Sequence, residues 1–93
     1  LNLSYRTQLS DSEYIVEGRP LAAKYDWDSG APAEVSLEER FAERIGLKLG
    51  DLLTFNVQGI PVEAKIVNLR RVKWNSFQPN FFILFQPGVL EFP

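Results

Sequence analysis

Two runs of alternating side chains, on either side of Gln58-Gly59-Ile60-Pro61, constrain this chain more than anything else in it. Leu53, Phe55 and Val57 fall on one face of an extended segment with Thr54 and Asn56 on the other, and Val62, Ala64 and Ile66 alternate with Glu63 and Lys65 on the way back. A period of two turns one face of each strand to a core and the other to water, and the glycine-bearing connection closes a hairpin. The returning strand continues toward Leu69 and Val72. Its apolar phase shifts between Ile66 and Leu69, which predicts a β-bulge.

The rest of the chain is read around this hairpin. Leu1, Leu3 and Tyr5 alternate with polar residues as a first strand, and Tyr14-Ile15-Val16-Glu17 forms a second, stopped by Gly18 and Pro20. Leu21 to Glu34, with Asp26, Asp28, Ser29, Gly30 and Pro32, reads as a long loop that Tyr25 and Trp27 pin to the core. A helix is expected to begin at Ser36, with Glu39 completing a capping box, and to end at Gly46. Leu37, Phe41 and Ile45 would share its apolar face with Ala42 nearby. Leu47-Lys48-Leu49-Gly50-Asp51 then turns the chain into the hairpin. Pro79 bars regular pairing before a final strand from Asn80 to Gln86, which Pro87-Gly88 ends. The expected class is α+β: a small, mostly antiparallel sheet with one short amphipathic helix packed on it, in a single domain spanning residues 1–93.

Composition narrows the chemistry. The 93 residues suffice for one domain with a modest core, and 45% hydrophobic with 24% charged residues is ordinary for a globular protein. Cysteine and histidine are both absent, which removes thiol nucleophiles, disulfides, imidazole bases and the usual zinc and copper ligands. A net charge of −2 gives no global attraction to nucleic acid or anionic lipid. The apolar run Phe81 to Phe85 is far shorter than the ~20 residues of a membrane helix. The chain begins at Leu1 and contains no Met, so it reads as a piece of a longer protein.

No residue set stands out as catalytic, cofactor-binding or metal-binding. Asp26 and Asp28 lack the spacing of a calcium loop and are better explained as turn caps. Gly46, Gly50 and Gly59 form no phosphate-binding fingerprint and read as a helix stop and turn residues. The notable segment is Leu69-Arg70-Arg71-Val72-Lys73-Trp74, which leads through Phe77 and Pro79-Asn80 into Phe81-Phe82-Ile83-Leu84-Phe85. Arg70, Arg71, Lys73, Trp74, Phe77, Phe81 and Phe82 are therefore the candidate interaction surface, with basic groups beside apolar area. The alternation leaves open whether the Phe82 and Leu84 side faces a partner or the core.

The stretch Val35 to Leu90 resembles the extracytoplasmic domain of FtsX-like, MacB-type ABC transporter permeases, most closely the branch of predicted permeases linked to lysophospholipase L1. The resemblance is carried by Val35-Ser36-Leu37-Glu38-Glu39, Ala42 to Asp51, Leu53-Thr54-Phe55, Leu69 to Trp74, Pro79-Asn80-Phe81-Phe82 and Phe85. Weaker similarity reaches Asn2 to Tyr5 and Ile15 to Gly18. Arg19-Pro20 stand where an aromatic is usual, and Lys73 where an acidic residue is common.

The resemblance implies an integral inner-membrane parent with this domain in the periplasm between membrane helices, driven by a separate cytoplasmic ATPase subunit. It implies a non-catalytic role with no cofactor and no nucleic acid, coupling membrane motion to lipid-like or hydrophobic cargo or to a periplasmic partner. The contrasting reading from the residues alone is a free-standing peptide- or ligand-binding β module, with the strand from Asn80 to Gln86 as an open edge.

Overall fold

A computed structural model describes residues 13–72 and 82–90. In chain order its elements are β1 (Glu13–Gly18), β2 (Ala33–Glu38), α1 (Glu39–Ile45), β3 (Leu52–Val57), β4 (Ile60–Val72) and β5 (Ile83–Phe85). The expected strand at residues 1–7, the Pro79 break and the beginning of the expected last strand lie outside the described residues.

Everything is organised around β4, the 13-residue strand. Its first half pairs antiparallel with β3 and its second half antiparallel with β1, both along one edge. β2 lies parallel along the other edge, and β5 pairs antiparallel with β2. The anticipated bulge is at Val67: Val35 pairs with Ile66, whereas the next residue, Ser36, pairs with Asn68. This irregularity is also where β3 gives way to β1. The Ile66 carbonyl accepts from the Gly50 N–H at 2.8 Å and the Val67 carbonyl from the Arg19 N–H at 3.1 Å. The segments flanking the two neighbouring strands therefore meet at the extra residue, and the carbonyls of Ile66 and Val67 stay satisfied.

Gly18 makes that junction possible. Its φ is +86°, and a Cβ there would collide with the Val67 carbonyl oxygen, the Asn68 Cα and the Leu49 side chain. Only glycine meets both the positive φ and the close approach. At the other end of the hairpin, Gln58 and Gly59 have φ of 51° and 86°. Positive φ at both positions is the two-residue turn whose twist matches paired strands.

The fold class differs from the α+β expectation. Strand accounts for 49% and helix for 10% of the described structure, with one helix, so the domain is mostly β. The cause is local. Ser36 does not cap a helix; it lies mid-strand in β2, fully buried. Ala33, Val35 and Leu37 alternate with Glu34, Ser36 and Glu38, a period of two that prevails over the capping-box pattern once β4 offers a strand to pair with. The helix starts after Glu38, whose carboxylate accepts from the Arg40 N–H at 2.6 Å, and is only seven residues long. Gly46 ends it in a left-handed conformation, as expected.

The core lies on one sheet face: Ala33, Val35 and Leu37 of β2, Val62, Ala64, Ile66 and Leu69 of β4, with Val57 and Phe85, closed over by Ala42 of α1 and by Val89. The loop ahead of β2 is pinned as the aromatics suggest. Trp27 Nε1 donates to the Gly88 carbonyl at 3.0 Å, the Tyr25 hydroxyl to the Ala31 carbonyl at 2.7 Å, and the two rings meet edge to face at 5.3 Å. Asp26 accepts from the Asp28 N–H through its carboxylate, which makes it a turn cap.

Candidate interaction surface

Past the bulge, strand alternation sends Leu69 and Arg71 to the core side and Asn68 and Arg70 to the opposite side. The two arginines consequently have different surroundings. Arg70 is 0% exposed. Its guanidinium donates to the Glu13 carboxylate at 2.6 Å, to Ser36 Oγ at 2.7 Å, and to the carbonyls of Ser36 and Phe82 at 3.2 and 3.1 Å. The Ser36 hydroxyl donates to Asn68 Oδ1, and Asn68 Nδ2 donates to the Arg19 carbonyl at 2.8 Å. A buried polar chain thus runs across β1, β4 and β2 to the residue ahead of β5. The planar five-donor guanidinium is the side chain suited to serve several acceptors at once. Sequence reading grouped Arg70 with the interaction surface; it lies beneath that surface.

Arg71 is exposed and held by a fork of two bonds to Glu39, the first residue of α1, at 2.7 and 2.9 Å. The Glu39 hydrogen bonds hold the Arg71 guanidinium above its ordinary value, with Tyr14 as the next contributor. Reciprocally, Arg71 keeps the Glu39 carboxyl below the usual carboxylate range, against a smaller opposing effect of desolvation. Tyr14 pairs with Arg71 across β1 and β4 and is 40% exposed. A similar exposed fork joins Arg19 to Glu34, where Arg19 likewise lowers the Glu34 carboxyl.

Phe82 completes this corner. Its ring stacks on Phe41 of α1 with centroids 4.8 Å apart and planes 10° from parallel, yet half of the residue remains exposed at 50%. Its carbonyl is fixed from below by the Glu38 N–H at 2.8 Å and by Arg70. Leu84, two residues on, is 1% exposed, so the apolar run divides into an outward Phe82 and an inward strand. Arg71 and Phe82 are the surface candidates that the structure describes; Lys73, Trp74, Phe77 and Phe81 lie outside the described residues. Sequence reasoning missed Glu13 and Ser36 as partners of Arg70, and Asn68 as the partner of Ser36. The one available trace was the phase shift at Val67, which puts Asn68 and Arg70 together on one side.

Together these features define a small sheet-dominated module with an aromatic corner, rigidly backed by a buried ion pair. Among the described residues no group of three or more Asp, Glu, His or Cys could hold a metal ion, and no helix is long and apolar enough to cross a membrane. Over 91 residues, 98% of its length, the chain is 37% identical to a protein described as an uncharacterized ABC transporter permease, YbbP, of Escherichia coli strain K12. The aligned stretch is 10% of that relative, so the chain spans about a tenth of the length of the protein it matches. No family model matches the chain, and no solved structure does.

Proposed function

We propose that this chain is a non-catalytic extracytoplasmic domain of an ABC transporter permease of the FtsX-like, MacB type. The observation that carries the permease reading is the 37% identity to a permease across 98% of the chain, and the FtsX-like, MacB type rests on the resemblance of Val35 to Leu90. In this reading residues 1–93 are one domain of a bacterial inner-membrane protein, facing the periplasm between membrane helices. A separate cytoplasmic ATPase supplies the energy, and the domain moves as a unit to handle lipid-like or hydrophobic cargo.

Two features of the fold support a rigid moving part. The buried Glu13–Arg70 pair fastens the beginning of β1 to the approach to β5, and satisfied buried networks of this kind resist local rearrangement. The corner formed by Tyr14, Phe41, Phe82 and the Arg71–Glu39 fork offers apolar area in which the charges are already compensated. That chemistry suits an apolar cargo or a protein surface better than an anionic headgroup. Lys73, Trp74, Phe77 and Phe81 are proposed to extend the same surface.

The test is to purify the full-length protein from membranes. The reading expects an ATPase subunit to accompany it, and expects removal of this domain to abolish transport while ATP hydrolysis remains. A full-length protein without an ATPase partner, or one whose transport survives the deletion, counts against it.

A further inference from the structure

The least protected part of the described fold is the outer edge of β3. Among the described residues β3 is hydrogen-bonded to β4 alone. The pairing runs without a register shift from Leu52 opposite Lys65 to Val57 opposite Ile60, across the two-residue turn. In such a hairpin the closing pair, Val57 and Ile60, exchanges both backbone bonds. By alternation Phe55 and Leu53 also face β4, whereas the N–H and C=O groups of Leu52, Thr54 and Asn56 point outward. Natural sheets blunt such edges with charges, prolines, bulges or very short strands. β3 has none of these: it reads Leu-Leu-Thr-Phe-Asn-Val over six residues. The other edges are treated differently, since β5 has three residues and β1 carries a bulge and Glu17.

We propose that β3 pairs antiparallel, edge to edge, with β3 of a second copy of this chain. The strand complements itself. A two-fold axis through Phe55 sets Phe55 against Phe55, Leu53 against Val57 and Thr54 against Asn56. Apolar side chains then continue the core face, polar ones continue the outer face, and no like charges meet. One strand pair buries less than a standard interface, so the association is weak and depends on concentration. The proposal stands apart from the transport reading.

The test is sedimentation of the 93-residue chain across a concentration series, with amide exchange read at Thr54 and Asn56. The expected result is an apparent mass rising toward twice the monomer, with protection of those two amides rising in step. Thr54→Pro removes only an outward donor and Thr54→Lys only adds a charge to an exposed position, so both should stay monomeric with a native urea midpoint; should Thr54→Pro fail to fold, Thr54→Lys decides. A native chain that stays monomeric at the highest concentration overturns the proposal. Protected Thr54 and Asn56 amides in that monomer would mean that the same chain fills the edge. Variants that associate as the native chain does overturn it equally.

Discussion

Replacing Arg70 with Met gives the sharpest test of how this domain is held together. The guanidinium is 0% and its Glu13 partner 1% exposed, and hydrogen bonds of 2.6 to 3.2 Å tie it to Glu13, Ser36 and Phe82 in three other parts of the chain. Removing one member of a buried ion pair costs about 3–5 kcal/mol, because the other charge loses its compensation in a low-dielectric site. A domain of this size has a total stability of roughly 5–14 kcal/mol, so Arg70→Met is expected to remove between about a fifth and nearly all of it. At 4–8 °C per kcal/mol the melting temperature should fall by roughly 12–40 °C. Urea unfolding followed through tryptophan fluorescence reads the change, with an unchanged slope showing that the folded state keeps its compactness. Changing Glu13 to Met alongside Arg70→Met should recover part of the loss, giving a coupling energy on the order of 1–3 kcal/mol. A loss below about 1 kcal/mol for Arg70→Met, or two single losses that simply add, would refute the claim that this pair anchors the fold.

Three other expectations follow from the geometry. Gly18→Ala should cost about 1–3 kcal/mol in the same unfolding assay, since the φ of +86° and the contact with Val67 and Asn68 both oppose a Cβ; an unaffected midpoint would contradict the junction described. The Glu34 and Glu39 carboxyls sit below their unfolded value of about 4.3, so their forks contribute fully above that pH and lose their contribution as pH falls through the lower folded values. Stability should therefore decline on acidification below about pH 4, and Glu34→Gln should make that decline shallower; a gain in stability with acid would have the wrong sign. In the full-length protein Trp74→Ala and Phe82→Ala should reduce transport more than they reduce the thermal stability of this domain, and equal losses would make these residues core.

How much of this was legible in the sequence depended on whether a pattern was local. The β3–β4 hairpin, the Gly46 helix stop, the Asp26 turn and the pinning by Trp27 each arise within a few residues or from one conspicuous side chain, and all appear as read. β2 did not, because Ser36 and Glu39 satisfy a capping box while Ala33, Val35 and Leu37 satisfy strand alternation. Only the parallel pairing with β4, distant in sequence, decides between them. That one choice also accounts for the mostly β class in place of α+β. The bulge was visible as a phase shift, but its consequence for Arg70 was not. Burial of an arginine requires Glu13 and Ser36 to converge from 57 and 34 residues away, and nothing adjacent to Arg70 announces them. Arg71 and Phe82 were read as surface residues and are exposed. Their relations to Glu39 and Phe41 follow from where α1 begins, which the capping-box reading misplaced.

Reporter fusions placed along the full-length protein test most directly the proposal that this domain belongs to a membrane permease and faces away from the cytoplasm. The expected result is membrane-spanning segments on both sides of this domain, with reporters fused within it active only in the periplasm. Cytoplasmic activity of those reporters, or a full-length protein recovered entirely in the soluble fraction, would contradict it.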